Sequence, residues 1–350
     1  MAFSQAELDN IANAALDYYI DKGNVYSQSL QDKPLLQAMD SAAKTFPGGK
    51  GELSVAVKGT YTTTVSGYTH NDTVTYANPA NIKRANYAWK EHHAGISLTL
   101  TELKKDGISV TDSTTSAGTS NHSGRDATVL VNLFQDKLDD MMEGYSRGVN
   151  DFLYGDGTAD ADALAGIRSV ILDDPAAVGA TVGGLSTVSN TWWRNRSDVA
   201  IATTAGGQEL IEKLHAEMRQ LKRFGGKPNI AVCGSAFLDR LADELRRNGN
   251  YSQTGFARGQ NIAMGEINYN GLQFVYDPTL DDLTITNQDP SKRCYIIDTS
   301  KLCLYYMDGE KMKRHSPARP ADQYVMYRAI TTTATLSATQ LNCHGVYEIA

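Results

Sequence analysis

The 350-residue chain is 41% hydrophobic and 21% charged, with 33 Lys and Arg against 40 Asp and Glu, a net charge of −7. This is ordinary globular composition, long enough for two cores, and its acidity excludes a general nucleic-acid binder, which needs a basic face. No stretch approaches about 18 uninterrupted apolar residues, so no membrane span is expected, and Met1 to Asn10 lacks the basic head and apolar run of a signal peptide. Cys233, Cys294, Cys303 and Cys343 are scattered without a CxxC pair and read as reduced thiols.

In chain order, Ser4 and Glu7 form a capping box, with Phe3 and Leu8 at hydrophobic-staple positions, opening a helix that runs to about Gly23. Residues 24–50 read as extended and polar, around Pro34 and the turn Pro47-Gly48-Gly49. A capped helix plus an extended segment is too thin for a domain, so this arm needs another surface to lie on. From Gly51 the pattern changes to period two. Leu53, Val55 and Val57 alternate with polar or small residues, and a turn-rich tip leads to a second run through Tyr87, Trp89, Ile96 and Leu98. Two long strands with little core of their own predict a marginal hairpin.

After a polar loop at 111–124, residues 126–154 carry apolar side chains at Leu130, Leu133, Phe134, Leu138, Met141, Met142, Tyr145, Val149, Phe152 and Leu153. These steps predict one helical stripe, capped by Ser123 with Asp126 and closed by a left-handed Gly155. At 1.5 Å per residue the helix is a rod of roughly 44 Å. Gly144 and Gly148 lie four apart on one face, each costing about 1 kcal/mol relative to alanine. They mark either a close packing contact or a bend.

Residues 160–200 read as short strands and turns. A second amphipathic helix spans 204–224, with Leu210, Ile211, Leu214, Met218 and Leu221 inward and Glu209 paired with Lys213 outside. A buried strand at 229–233 is followed by a helix capped by Ser235. The loop 250–265, with Asn250, Gly255 and Gly259, precedes strands near 272–276, 293–298 and 302–306. Residues 323–350 alternate again and should return to a sheet beside the long helix.

No sequence motif builds a catalytic site. There is no P-loop, and Ser235 lacks the second glycine of a nucleophile elbow. Asp156, Thr158, Asp160 and Asp162 alternate like a calcium loop, but Ile167 stands where the bidentate glutamate is needed, so they read as a helix-exit turn. His92 and His93 point to opposite faces of a strand and read as solvated, and Trp192-Trp193 reads as packing.

The order Phe152-Leu153-Tyr154-Gly155-Asp156-Gly157, then Ala165-Gly166-Ile167-Arg168, Gly183-Gly184 and Trp192-Trp193-Arg194-Asn195 resembles the major capsid proteins of tailed double-stranded-DNA bacteriophages, which share the Hong Kong 97 fold. The resemblance implies an α+β fold with an N-terminal arm (1–50), an extended β-hairpin loop (51–110), a peripheral domain (111–203 and 310–350) holding the spine helix, and an axial domain (204–309). It implies a non-enzymatic subunit without cofactor or metal, assembled in the host bacterial cytoplasm into hexamers and pentamers of an icosahedral virion shell. The shell encloses DNA without sequence-specific binding. A separate scaffolding protein, a portal and decoration proteins are the other expected partners.

Assembly contacts are expected at Phe3, Leu53, Val55, Val57, Tyr87, Trp89, Asn250, Gly255 and Gly259, and a spine bend at Gly144 and Gly148. Some shells of this family cross-link a loop lysine to a neighbour's asparagine, for which Lys58, Lys83, Lys90 and Asn342 are the candidates, without any spacing that selects them. An encapsulin-like nanocompartment and a soluble hydrolase or binding domain are the alternatives. The first uses the same fold, and the second needs a converging polar site.

Overall fold

The computed structural model describes residues 3–4, 31–48, 51–61, 63–74, 76, 81–105, 110–111, 124–158, 160–204, 206–247, 266–285, 288–317 and 325–350. The expected arm helix, the loop 250–265 and the Ser123 cap lie outside them. The chain divides into two compact units. The first holds Met1–Gln31, Glu91–Val149 and Gly309–Thr333, and the second holds Asp32–Lys90, Asn150–Asp308 and Ala334–Ala350. The chain passes between the units at five boundaries, three of which fall inside a regular element: the strand Lys90–Thr99, the helix Gly124–Tyr154 and the strand Val325–Ala338.

The 31-residue helix Gly124–Tyr154, in the first unit as far as Val149, covers the predicted span. Leu138 and Met141 pack with Ile330 of the long strand, flanked by Ala94, Ile96, Met142, Tyr145 and Met312. The Tyr145 hydroxyl donates to Thr332 Oγ1 at 2.6 Å, and the Met312 amide donates to the same oxygen at 3.0 Å. The strand Lys90–Thr99 also pairs with the long strand, and Lys313–His315 pairs antiparallel to it through Thr331–Ala329. Lys90–Thr99 was expected in the hairpin. A strand pairs where its inward residues find a core, and His92 and Leu98 are buried here.

In the second unit a six-stranded sheet runs, in spatial order, Glu266–Tyr269, Leu272–Tyr276, Ile230–Cys233, Arg293–Ile297, Gly345–Ile349 and Arg196–Ile201. Two of these strands lie outside 204–309. The final strand therefore joins this sheet, between Arg293–Ile297 and Arg196–Ile201, rather than one beside the long helix. The helices Glu209–Lys222 and Ser235–Arg247 share its second core, with Leu210, Leu214, Phe237 and Leu241 wholly buried. Lys213 pairs with Asp198 at 2.6 Å rather than with Glu209, which accepts from Thr204. Ser235 is the first helical residue and not the cap; its amide is satisfied by Asp281 Oδ1 at 3.0 Å.

Two further local expectations are corrected in this unit. Residues 34–41 form a helix, with Pro34 at its first position, where a missing N–H costs nothing. Its Leu35 and Met39 are fully buried. The long helix ends at Tyr154, but the left-handed residue is Gly157 (φ +74°), while the Gly155 amide donates to the Phe152 carbonyl at 3.0 Å. Gly166 then abuts the helix end so closely that a Cβ would stand 2.3 Å from the carbonyl oxygens of Phe152 and Leu153.

Candidate assembly surfaces

The hairpin of Glu52–Lys58 and Ile82–Ala88 pairs Leu53 with Tyr87, Val55 with Ala85 and Lys58 with Ile82. Period two puts Leu53, Val55 and Val57 on one face, and that face is turned inward. Leu53, Val57, Ala85 and Tyr87 belong to the main core of the second unit, together with Leu153, Val182 and Trp193. The Tyr87 hydroxyl donates to the Ala338 carbonyl at 3.2 Å, and the Asn86 amide donates to the Gly183 carbonyl at 2.9 Å. Gly183, at φ +58°, permits this approach, since a Cβ there would lie 2.9 Å from that of Ala85. Leu53, Val57 and Tyr87, expected to meet a neighbouring subunit, are thus consumed within their own chain. Val55 and Trp89 are half-buried against the same core, Trp89 with its ring 5.9 Å from that of Phe46.

Beyond Gly59 the hairpin changes character. Tyr61, Val65, Tyr68, Val74, Tyr76 and Ile82 are all exposed, Val65 completely and Tyr76 at 94%. A solvated loop gains nothing from such side chains, whereas burying each is worth about 1.5–3 kcal/mol. The turn is held locally, with Asp72 Oδ2 accepting from the Thr69 amide and hydroxyl at 2.8 and 2.9 Å. That bonding holds Asp72 below the usual carboxylate range. In the sequence these residues are diluted among Thr, Asn and Gly, so the segment has the pattern of a polar, turn-rich tip. Their signal was a set of aromatic and β-branched residues with no partner run to cover them.

Of the other expected positions, Phe3 pairs with Val110 in a short parallel ladder. Asn250, Gly255 and Gly259 lie outside the described residues. At Gly144 and Gly148 an added Cβ would meet nothing within 4 Å among the described residues, so none of these explains either glycine by close packing. Each loop lysine is engaged within its own chain. Lys58 Nζ lies 4.9 Å from the Tyr61 ring centroid, Lys83 Nζ donates to Asn190 Oδ1 at 2.6 Å, and Lys90 donates to the Ala161 carbonyl.

The residues considered for chemistry have structural partners. Asp156 Oδ1 accepts from the Thr158 amide and hydroxyl, and Asp160 Oδ1 from the Asp162 amide, the bonding of an exit turn. Trp193 is buried, with its indole N–H on the Val182 carbonyl at 3.1 Å and its ring edge-on to Trp192. His92, expected to be solvated, is buried, and desolvation lowers its pKa. His93 on the opposite face is exposed. Among the described residues no cluster of His, Cys, Asp or Glu could hold a metal ion, and no helix is long and apolar enough to cross a membrane.

Residues 100–349 match the family model described as SU10 major capsid protein. The chain belongs to this family. It is a structural subunit of a phage head, and its fold is of the Hong Kong 97 type. The solved structures agree with that fold. The "Cyanophage A-1(L) capsid asymmetric unit" superposes with a TM-score of 0.63 at 16% identity, covering 93% of this chain and 95% of that one. The "Capsid structure of the Cyanophage P-SCSP1u" gives 0.56 at 10% identity, covering 94% and 91%. The Mycobacterium phage Ogopogo chain gives 0.52 at 10% identity, covering 93% and 95%. A comparison with curated proteins finds no match. In this major capsid protein the hairpin is therefore fixed at its base and open along its outer half.

Proposed function

We propose that this major capsid protein self-assembles, in the host bacterial cytoplasm, into hexamers and pentamers of an icosahedral shell that encloses double-stranded DNA without reading its sequence. In this reading residues 1–50 act as an arm, 51–110 carry the extended loop, 111–203 and 310–350 form the peripheral domain, and 204–309 form the axial domain. The loop 250–265, with Asn250, Gly255 and Gly259, faces the symmetry axis of each ring. A separate scaffolding protein, a portal and decoration proteins act with it. The protein catalyses no reaction.

The observation that carries the reading is the contrast within one hairpin. Its base is locked to its own core, while its outer half presents six large apolar side chains to solvent. A neighbouring subunit is the surface that would cover them. Gly144 and Gly148 then serve as the place where the spine helix changes curvature when the shell expands.

Negative-stain electron microscopy of the expressed chain tests the proposal: closed shells are expected. Deletion of residues 60–81, with a short turn joining the strands, should leave a folded subunit that forms none. Normal particles from the deletion would overturn the assignment of the loop.

A further inference from the structure

Beside the hairpin base, the second unit holds a groove of about 830 Å³, a size suited to a few inserted side chains. Five separate segments build it: 57–61, 175–176, 191–197, 220–224 and 339–342. Its composition is unlike that of the chain. Lys58, Arg194, Arg196 and Arg223 line it, yet none of its lining residues is acidic, in a protein with 40 acidic residues. Trp192 forms part of the wall, and Tyr61 and Phe224 stand exposed at 83% and 62%. Arginine with aromatic residues, and no carboxylate, is the composition of the energetic centre of a protein interface.

The cations are available. Arg196 is neutralised by Glu217 at 2.8 Å, but among the described residues Arg194 donates only to the carbonyls of Thr187 and Val188. Arg223 lies over the Phe224 ring at 5.4 Å and Lys58 over Tyr61 at 4.9 Å, so neither is spent on a carboxylate among the described residues. A complementary surface exists in the same unit. The turn after the long helix exposes Asp160 and Asp162, and no lysine or arginine pairs with either among the described residues. This turn touches the hairpin through Lys90, beyond the Glu52–Ala88 end of the ladder, whereas the groove begins at the Lys58–Ile82 end. Six residue steps, roughly 20 Å, separate those two ends. The Lys58 wall of the groove and the acidic turn thus sit apart on one chain, so a contact between these two joins separate copies.

From this arrangement we infer that the groove receives the acidic turn at residues 156–162 of a second copy of this chain, in a head-to-tail contact of the kind that closes rings. The inference rests on the capsid reading. Duplex DNA is the other polyanion in such a particle, but it is too wide to enter a groove of this size and would touch only the rim.

The test is charge reversal in the full-length chain, scored as the yield of closed shells by electron microscopy and sedimentation. Lys58→Glu with Arg223→Glu, and separately Asp160→Asn with Asp162→Lys, should each lower the yield at least about tenfold, because like charges then face each other. Combining all four changes should recover most of the yield. Circular dichroism establishes that each subunit is folded, and the milder Lys58→Gln with Arg223→Gln replaces the groove variant if it is not. Wild-type yield from the groove variant, or no recovery in the combination, would overturn the contact. Normal shell yield with reduced DNA content would overturn it in favour of a nucleic-acid site. Absence of shells from the wild-type chain would instead overturn the proposal that the chain self-assembles on its own, and not its place in the capsid family.

Discussion

The Tyr154 hydroxyl donates a 2.7 Å hydrogen bond to Asp277 Oδ2, and both side chains are buried. Asp277 also caps the short helix Pro278–Asp282 by accepting from the Thr279 amide, and Asn150 Nδ2 donates to Thr279 Oγ1 at 2.8 Å. The last turn of the long helix is therefore tied to one capped corner of the second unit. Burial, then the neighbouring Asp277 carboxylate, raise the Tyr154 pKa well above its ordinary value, so the phenol stays a donor. Tyr154→Phe leaves a buried carboxylate short of a partner and should cost about 1–3 kcal/mol. Urea unfolding of the unassembled subunit measures it, and an unchanged midpoint would mean that the bond is not formed.

Glycines within and beside the same helix should respond in opposite directions. Gly166→Ala forces a methyl group into the carbonyls of Phe152 and Leu153 and should destabilise the subunit by about 2 kcal/mol or more. Gly144→Ala and Gly148→Ala meet nothing among the described residues and should each stabilise it by about 1 kcal/mol. If those two glycines serve a bend, the stabilised double variant assembles but expands slowly. A double variant that expands at the normal rate would remove the bend from the proposal.

Acid should loosen the second unit through His344. Its ring is wholly buried, its Nδ1 accepts from the Asp298 amide at 3.2 Å, and burial pushes its pKa from 6.5 down to about 4. The neutral ring is favoured in the fold, so its contribution is complete above pH 6.5 and is lost progressively as pH falls towards 4. The loss is roughly 3 kcal/mol over that window. Thermal unfolding of the subunit from pH 7 to pH 4 checks this, with His344→Gln as the variant whose pH slope should be shallower.

Arg293, 1% exposed, holds Asp173 with two bonds of 3.1 Å and Glu348 with one of 2.7 Å. The side chain joins its own strand, the final strand and the loop after the long helix. Arg293→Ala strands two carboxylates and should cost about 3–5 kcal/mol. Arg293→Lys should recover little, because an ammonium cannot span both carboxylates as the planar fork does. Full recovery by lysine in a denaturant titration would count against the forked geometry.

Much of this fold was legible in the order of side chains. The stripe from Leu138 to Leu153 announced the long helix, the alternation from Leu53 to Val57 announced a strand, and Leu210 to Leu221 named the buried face of a second helix. Periodicity reports which side chains share a face, because that follows from local backbone geometry alone. It does not report what covers the face. Leu53, Val57 and Tyr87 turned inward onto a core whose other members, Leu153, Val182 and Trp193 among them, are distant in sequence. Lys90–Thr99 left the hairpin for a strand more than 200 residues away. Lys213 chose Asp198 over Glu209 because the sheet, and not the helix, placed the nearer carboxylate. The groove is assembled from five separated segments, none of which is basic enough to be noticed alone. Local patterns therefore set the elements, and the long-range closure of backbone and core decided which surfaces were left for another copy.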